Sequence, residues 1–160
     1  MTTFIVIVVL AVAAAVVAAS VVVRSGKRDF SRANEVVPGR VTKAPAEWAG
    51  AHTPEARLHR RLRDAVEALR ANPAMEDSWM LDARVSLEEQ AVAVDERLIA
   101  VAALPERVRT EPLAGVAAAV DSVEAAVAAL AAPGASAAQD GVAQAMAEVR
   151  DRVASLEQGS

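Results

Sequence analysis

LAGVAAAVDSVEAAVAALA, residues 113–131, is the stretch whose reading decides the fold. Leu113, Val116, Val120, Val123, Val127 and Leu130 recur at intervals of 3, 4, 3, 4 and 3. That spacing lines one face of an α-helix. Most of the other positions are Ala, the strongest helix former. The run is apolar enough to raise the question of a membrane span, but Asp121 and Glu124 lie near its middle. A charge there costs about 2.5–3.5 kcal/mol at the centre of a spanning helix, and Ala offsets little of it. The stretch therefore reads as an inner helix of a packed bundle.

Working outward, Ala132-Pro133-Gly134-Ala135 is a turn, and Ser136 with Gln139 three residues later forms a capping box. A helix to about Leu156 follows, with Val142, Met146, Val149, Val153 and Leu156 on one stripe. On the other side, PERVRTEP (105–112) reads as a connection bounded by two prolines, with room for a helical turn. Before it, a long helix runs from about Asp77 or Ser78 to Leu104. Met80, Leu87, Val94 and Val101 repeat every seven residues, and a second stripe of Leu81, Val85, Val92 and Ile99 widens the face. A face this wide suits a bundle better than a narrow two-stranded coiled coil. The first helix of this set starts at Thr53-Pro54-Glu55, an N-cap, an N1 proline and a first-turn acid, and ends at Asn72-Pro73. The sequence predicts an all-α fold: a three- or four-helix antiparallel bundle over residues 53–160.

Residues 24–52 contain Pro38-Gly39, Pro45 and Gly50 without a sustained period, and read as a flexible juxtamembrane linker. Ahead of them lies FIVIVVLAVAAAVVAASVVV, Phe4–Val23, with Ser20 as its one polar side chain. Its length, about 30 Å at 1.5 Å per residue, matches a hydrocarbon core. Its Val, Ile, Leu and Phe residues favour insertion by about 4–8 kcal/mol. Arg24, Lys27, Arg28 and Arg32 follow, with only Asp29 against them. Positive charge stays on the cytoplasmic side, so the expectation for residues 1–23 is a single-pass anchor in the cell inner (plasma) membrane, N-terminus outside and bundle in the cytoplasm. The rival is a cleaved signal at Ala18-Ala19-Ser20, which would make an exported helical protein. The apolar run continues past that site, which favours the anchor.

Composition narrows the chemistry. The chain has 160 residues and no Cys, so neither a disulfide nor a thiolate is available. The net charge of −4 is uneven. Residues 1–72 carry 11 Lys or Arg against 6 Asp or Glu, and residues 73–160 carry 6 against 15. The basic half suits an anionic lipid surface, and the acidic half disfavours nucleic acid. The Ala, Arg and Val bias resembles that of proteins from high-GC bacterial genomes, as a compositional association only. His52 and His59 are the only histidines, and neither has the partners of a zinc site. His59 reads as surface polarity among charges. No phosphate loop and no nucleophile–His–acid pattern is legible, so no cofactor, no metal and no enzymatic activity is expected.

One local feature stands out: RLHRRLRD, residues 57–64, whose Arg57, Arg60, Arg61 and Arg63 give a helix face concentrated positive charge. Those four are the candidate contacts to anionic lipid or an acidic protein surface. The layout of an apolar N-terminal segment ahead of a helical bundle resembles that of LemA-type bacterial membrane proteins, in layout only. The function expected from the sequence is a membrane-anchored, non-enzymatic helical scaffold or interaction protein. Its partners would be membrane lipid and a protein, or a second copy met through apolar helix faces. The alternative is a lipid-surface module using the basic helix 54–71.

Overall fold

A computed structural model describes residues 34–72, 78–132, 134–135 and 138–158. They form four α-helices: α1 (Pro54–Arg70), α2 (Ser78–Ala102), α3 (Glu106–Ala131) and α4 (Gln139–Gln158). The central pair is α2 and α3, and each packs on both α1 and α4.

Cross-links fix the directions. Glu55 of α1 pairs with Arg109 of α3, Arg61 with Asp121 and Glu124, and the Asn72 amide donates to the Leu130 carbonyl. Both sequences rise together, so α1 and α3 run parallel. His59 meets Asp95 while Arg70 meets Glu88, so α1 and α2 are antiparallel. Alternate helices sharing a direction is what short connections between antiparallel neighbours produce.

The main stripes read from the sequence form the core, but of the second stripe on α2 Leu81 and Val85 are exposed and Val92 and Ile99 half-buried. Leu62, Val66 and Leu69 of α1 meet Leu87, Val94 and Leu98 of α2, Val116, Val120 and Val123 of α3, and Val142 and Val149 of α4, all buried. The residues are small, so each contributes modestly, about 1.5–3 kcal/mol for a fully buried Val or Leu. Close approach compensates. At Gly115 of α3, an added Cβ would meet the Leu156 Cδ2 atom of α4 at 3.3 Å. That atom is the far end of a flexible, half-buried side chain and can yield. Gly115→Ala is therefore expected to stabilise the domain by up to about 1 kcal/mol through helix propensity, read as a raised urea midpoint. A loss of stability would mean that α3 and α4 cannot part there.

Two boundaries differ from expectation. α3 begins at Glu106, not Leu113, and carries Pro112 inside it. The proline removes one helical hydrogen bond. Arg109 holds the preceding turn in place by donating from Nε and Nη2 to the Leu104 carbonyl (3.1 and 2.7 Å) and from Nη1 to Glu55 (2.9 Å). α4 begins at Gln139, and the capping residue Ser136 lies outside the described residues.

The larger correction concerns the N-terminal side. The expected flexible linker is not one from Asn34 onward. Val36, Val37 and Trp48 are buried in the same core as the helices. Pro38 and Gly39 form a type II turn, with Arg40 N–H donating to the Val37 carbonyl at 2.9 Å and Gly39 at φ 88°. A short 3-10 helix, Ala46–Ala49, then carries Trp48 inward. Residues 34–51 are thus a strap packed on α1 and α2.

The anchor predicted at Phe4–Val23 lies outside the described residues. Among those described, the one helix long and apolar enough to cross a membrane is internal, Glu106–Ala131. The fold class and the placement drawn from an N-terminal single-pass anchor are corrected accordingly. α3 meets that criterion by length and Ala/Val content. Its apolar face is used against α1, α2 and α4, and its mid-helix acids pair with Arg61.

Candidate functional site

Two places concentrate polar chemistry. The first is a buried network where the strap crosses α1 and α2. His59 has no exposed surface. Its Nδ1 lies 2.7 Å from Asp95 Oδ1, and its Nε2 lies 3.0 Å from the Asn34 carbonyl oxygen. Thr42 Oγ1 donates to Asp95 Oδ2 at 2.8 Å, and the Thr42 oxygen accepts from Ala44 N–H. The Trp48 ring meets the imidazole edge-on, with centroids 5.6 Å apart. Arg60 Nη1 donates to the carbonyls of Trp48 and Ala51 at 3.0 and 2.7 Å.

This corrects the reading of His59 as surface polarity. Helix spacing puts it beside Leu58 and Leu62, but the arginines around it disguise the fact. Its partners, Asp95 and Asn34, lie 36 and 25 residues away, beyond any local pattern. The arrangement is not that of a nucleophile triad. The hydroxyl is bonded to the carboxylate rather than to the ring, and both ring nitrogens are occupied.

The second place is a cleft of about 840 Å³ between the N-terminal halves of α1 and α3. Leu58, Leu113, Ala114 and Ala117 supply its apolar lining, and Arg57, Arg61 and Arg109 its cations. Two of these cations are answered within the domain. Arg61 grips Glu124 with two bonds, Nε at 2.9 Å and Nη2 at 2.6 Å, and reaches Asp121 at 2.6 Å. The Glu124 and Asp121 hydrogen bonds hold the guanidinium above its ordinary value. Arg109 pairs with Glu55. Arg57 is exposed, without an ion-pair partner among the described residues.

The four candidate arginines thus part company. Arg57 and Arg61 line the cleft, Arg60 holds the strap, and Arg63 bonds Asp64 beside it at 2.9 Å. Among the described residues no group of three or more His, Cys, Asp or Glu is placed to hold a metal ion.

Glu55 gives the cleft a pH signature. Burial pushes its carboxyl up, but its own backbone N–H, Arg109 and Thr53 outweigh that and hold it below the ordinary value of 4.5. A lowered carboxylate contributes stability that is complete above the unfolded value and is lost as pH falls through the folded one. Wild-type stability should therefore drop on acidification below about 4.5. Glu55→Gln should lose about 1–2 kcal/mol at neutral pH and show a flatter acid limb. Urea titrations at a series of pH values read both. An unchanged acid limb in the variant would contradict the assignment.

Comparison with known proteins returns no match: no family model, no curated protein and no solved structure is similar to the chain.

Proposed function

We propose that residues 34–158 form a non-enzymatic interaction domain that receives a segment of a protein partner in the α1–α3 cleft. The cleft itself carries the reading: an apolar floor beside Arg57, which has no ion-pair partner among the described residues, with the exposed Glu106 on the same lining. Its volume of about 840 Å³ lies in the range of ligand pockets. The fitting occupant is an apolar side chain next to an acidic one, the first on Leu58 and Leu113 and the second on Arg57. Arg61 and Arg109, tied to internal acids, shape the walls rather than attract. That internal pairing also favours a protein partner over an anionic lipid surface, which would need the basic charges of the helix turned outward. The non-enzymatic part of the reading is supported by the buried network, whose His59 has no free ring nitrogen to accept a substrate proton.

A photocrosslinking residue at Ala114, exposed on the cleft, tests the proposal against the same residue at Ala143, exposed on α4. Both are placed in the full chain in its native cells. The expected result is an adduct from position 114 that Arg57→Glu abolishes, with none from 143. Equal labelling at the two positions, or labelling indifferent to Arg57→Glu, would overturn it.

A further inference from the structure

A second cavity, of about 300 Å³, lies between the strap and α2 and shares no lining residue with the α1–α3 cleft. Its two walls carry opposite charge. Arg40 and Lys43 belong to the strap, Asp95 and Glu96 to α2. Among the described residues Arg40, Lys43 and Glu96 take part in no ion pair. Glu35 of the strap is taken by the Gly39 N–H. The lining therefore holds cations and anions that do not answer one another by contact. The rest of it is largely apolar: Val37 of the strap is buried, and Val92 and Ile99 of α2 are half-buried.

Asp95 is the fixed point of this cavity. Its side chain is 6% exposed and is held by Thr42 Oγ1 on one oxygen and by His59 on the other. A carboxylate offers about four acceptor positions, so these two contacts leave it able to receive a further donor. Thr42 is itself committed, since its oxygen also accepts from the Ala44 N–H. A simple anion is attracted by the strap wall and repelled by α2, and a simple cation the reverse. A molecule carrying both charges is attracted by both walls. The volume, at the small end of ligand pockets, admits only a small molecule. The valine and isoleucine lining selects an aliphatic body for it.

We propose that the strap–α2 cavity binds a free aliphatic α-amino acid, with its carboxylate on Arg40 and Lys43, its ammonium on Asp95 and Glu96, and its side chain on Val37, Val92 and Ile99. Both charges of such a ligand sit on one carbon, so they reach opposite walls of a small cavity while the side chain lies along the apolar lining. The ligand then joins strap to helix alongside the Thr42–Asp95 bond. Because it needs both walls in place, it stabilises the closed strap as its concentration rises. The site is separate from the α1–α3 cleft, so it stands or fails independently of the proposed function.

Isothermal titration calorimetry of the full chain with L-leucine tests it, beside three relatives that each lack one feature. Isocaproate lacks the ammonium, isoamylamine the carboxylate, and glycine the aliphatic body. The expected result is saturable binding of L-leucine, and binding at least about tenfold weaker for each of the other three, since a charge-assisted hydrogen bond or a buried aliphatic side chain contributes that much. Asp95 also supports the fold, so the strap cations are the residues to change. Arg40→Glu combined with Lys43→Glu alters two exposed side chains. It should weaken L-leucine by about tenfold or more while far-UV circular dichroism stays as in wild type. Three results would overturn the proposal: no saturable binding of L-leucine, isocaproate or isoamylamine binding as tightly, or a folded double variant that binds L-leucine unchanged. The ligand series on wild type decides the matter even where the double variant fails to fold.

Discussion

Asp95→Ala is expected to destabilise the domain by about 2–5 kcal/mol, the cost of leaving two buried polar groups without their acceptor. Asp95 answers two groups at once, His59 through Oδ1 and Thr42 through Oδ2. Removing it strands a fully buried imidazole N–H and a hydroxyl, and leaves a cavity between strap and α2. Native domains have only about 5–15 kcal/mol in hand, so the variant sits near the folding threshold. The same substitution at Glu96, exposed on the next position of α2, should change stability by no more than about 0.5 kcal/mol. Urea unfolding of the two variants beside wild type is the check. Similar midpoints for Asp95→Ala and wild type would mean that the network contributes nothing to the folded state.

Trp48→Ala is expected to cost about 3–5 kcal/mol, as other large-to-small changes at buried aromatics do. Trp48 lies in the strap, is 7% exposed, and packs edge-on against His59. The residue that brings it inward is Arg60, which clamps the carbonyls of Trp48 and Ala51 from α1. A tryptophan in a flexible linker would show no effect, so the measured value separates the two descriptions. Val41, in the same strap but 83% exposed, supplies the contrast. Val41→Ala should be nearly neutral, within about 0.5 kcal/mol.

The helices were legible because their signals are local. The 3-4 spacing of Val116, Val120, Val123 and Val127 predicted the buried face of α3, and Thr53-Pro54-Glu55 marked the start of α1, where Thr53 does accept from Ala56 N–H. Pro112 misled because the support for the turn before it comes from Arg109 and its bonds to Glu55 and Leu104, which no window of sequence reveals. The strap was missed for a related reason. Asn34, Thr42 and Trp48 form no periodic pattern, and the residues that hold them, His59, Arg60 and Asp95, stand on helices distant in sequence. A signal was available in retrospect. His59 follows Leu58 and precedes Leu62 on the apolar side of α1, where a purely solvated face would not place it. Asp95 likewise sits between Val94 and Leu98 of the buried stripe.

The basic run RLHRRLRD was legible as charge but not as geometry. Its arginines divide among the strap (Arg60), α3 (Arg61), the neighbouring Asp64 (Arg63) and the cleft (Arg57) because successive helical positions turn by about 100°. A cluster in sequence therefore becomes four separate placements in space. Among the described residues, Arg57 is the one arginine of the four that is turned to solvent without an answering acid.

The central claim is that the strap and the four helices fold as one unit around His59 and Asp95. The most direct measurement is urea unfolding of the full chain carrying Trp79→Phe, followed at once by Trp48 fluorescence and by far-UV circular dichroism. One cooperative unit predicts coincident transitions with a common midpoint. Trp48 already solvent-exposed in the absence of urea, or the strap unfolding well before the helices, would contradict it.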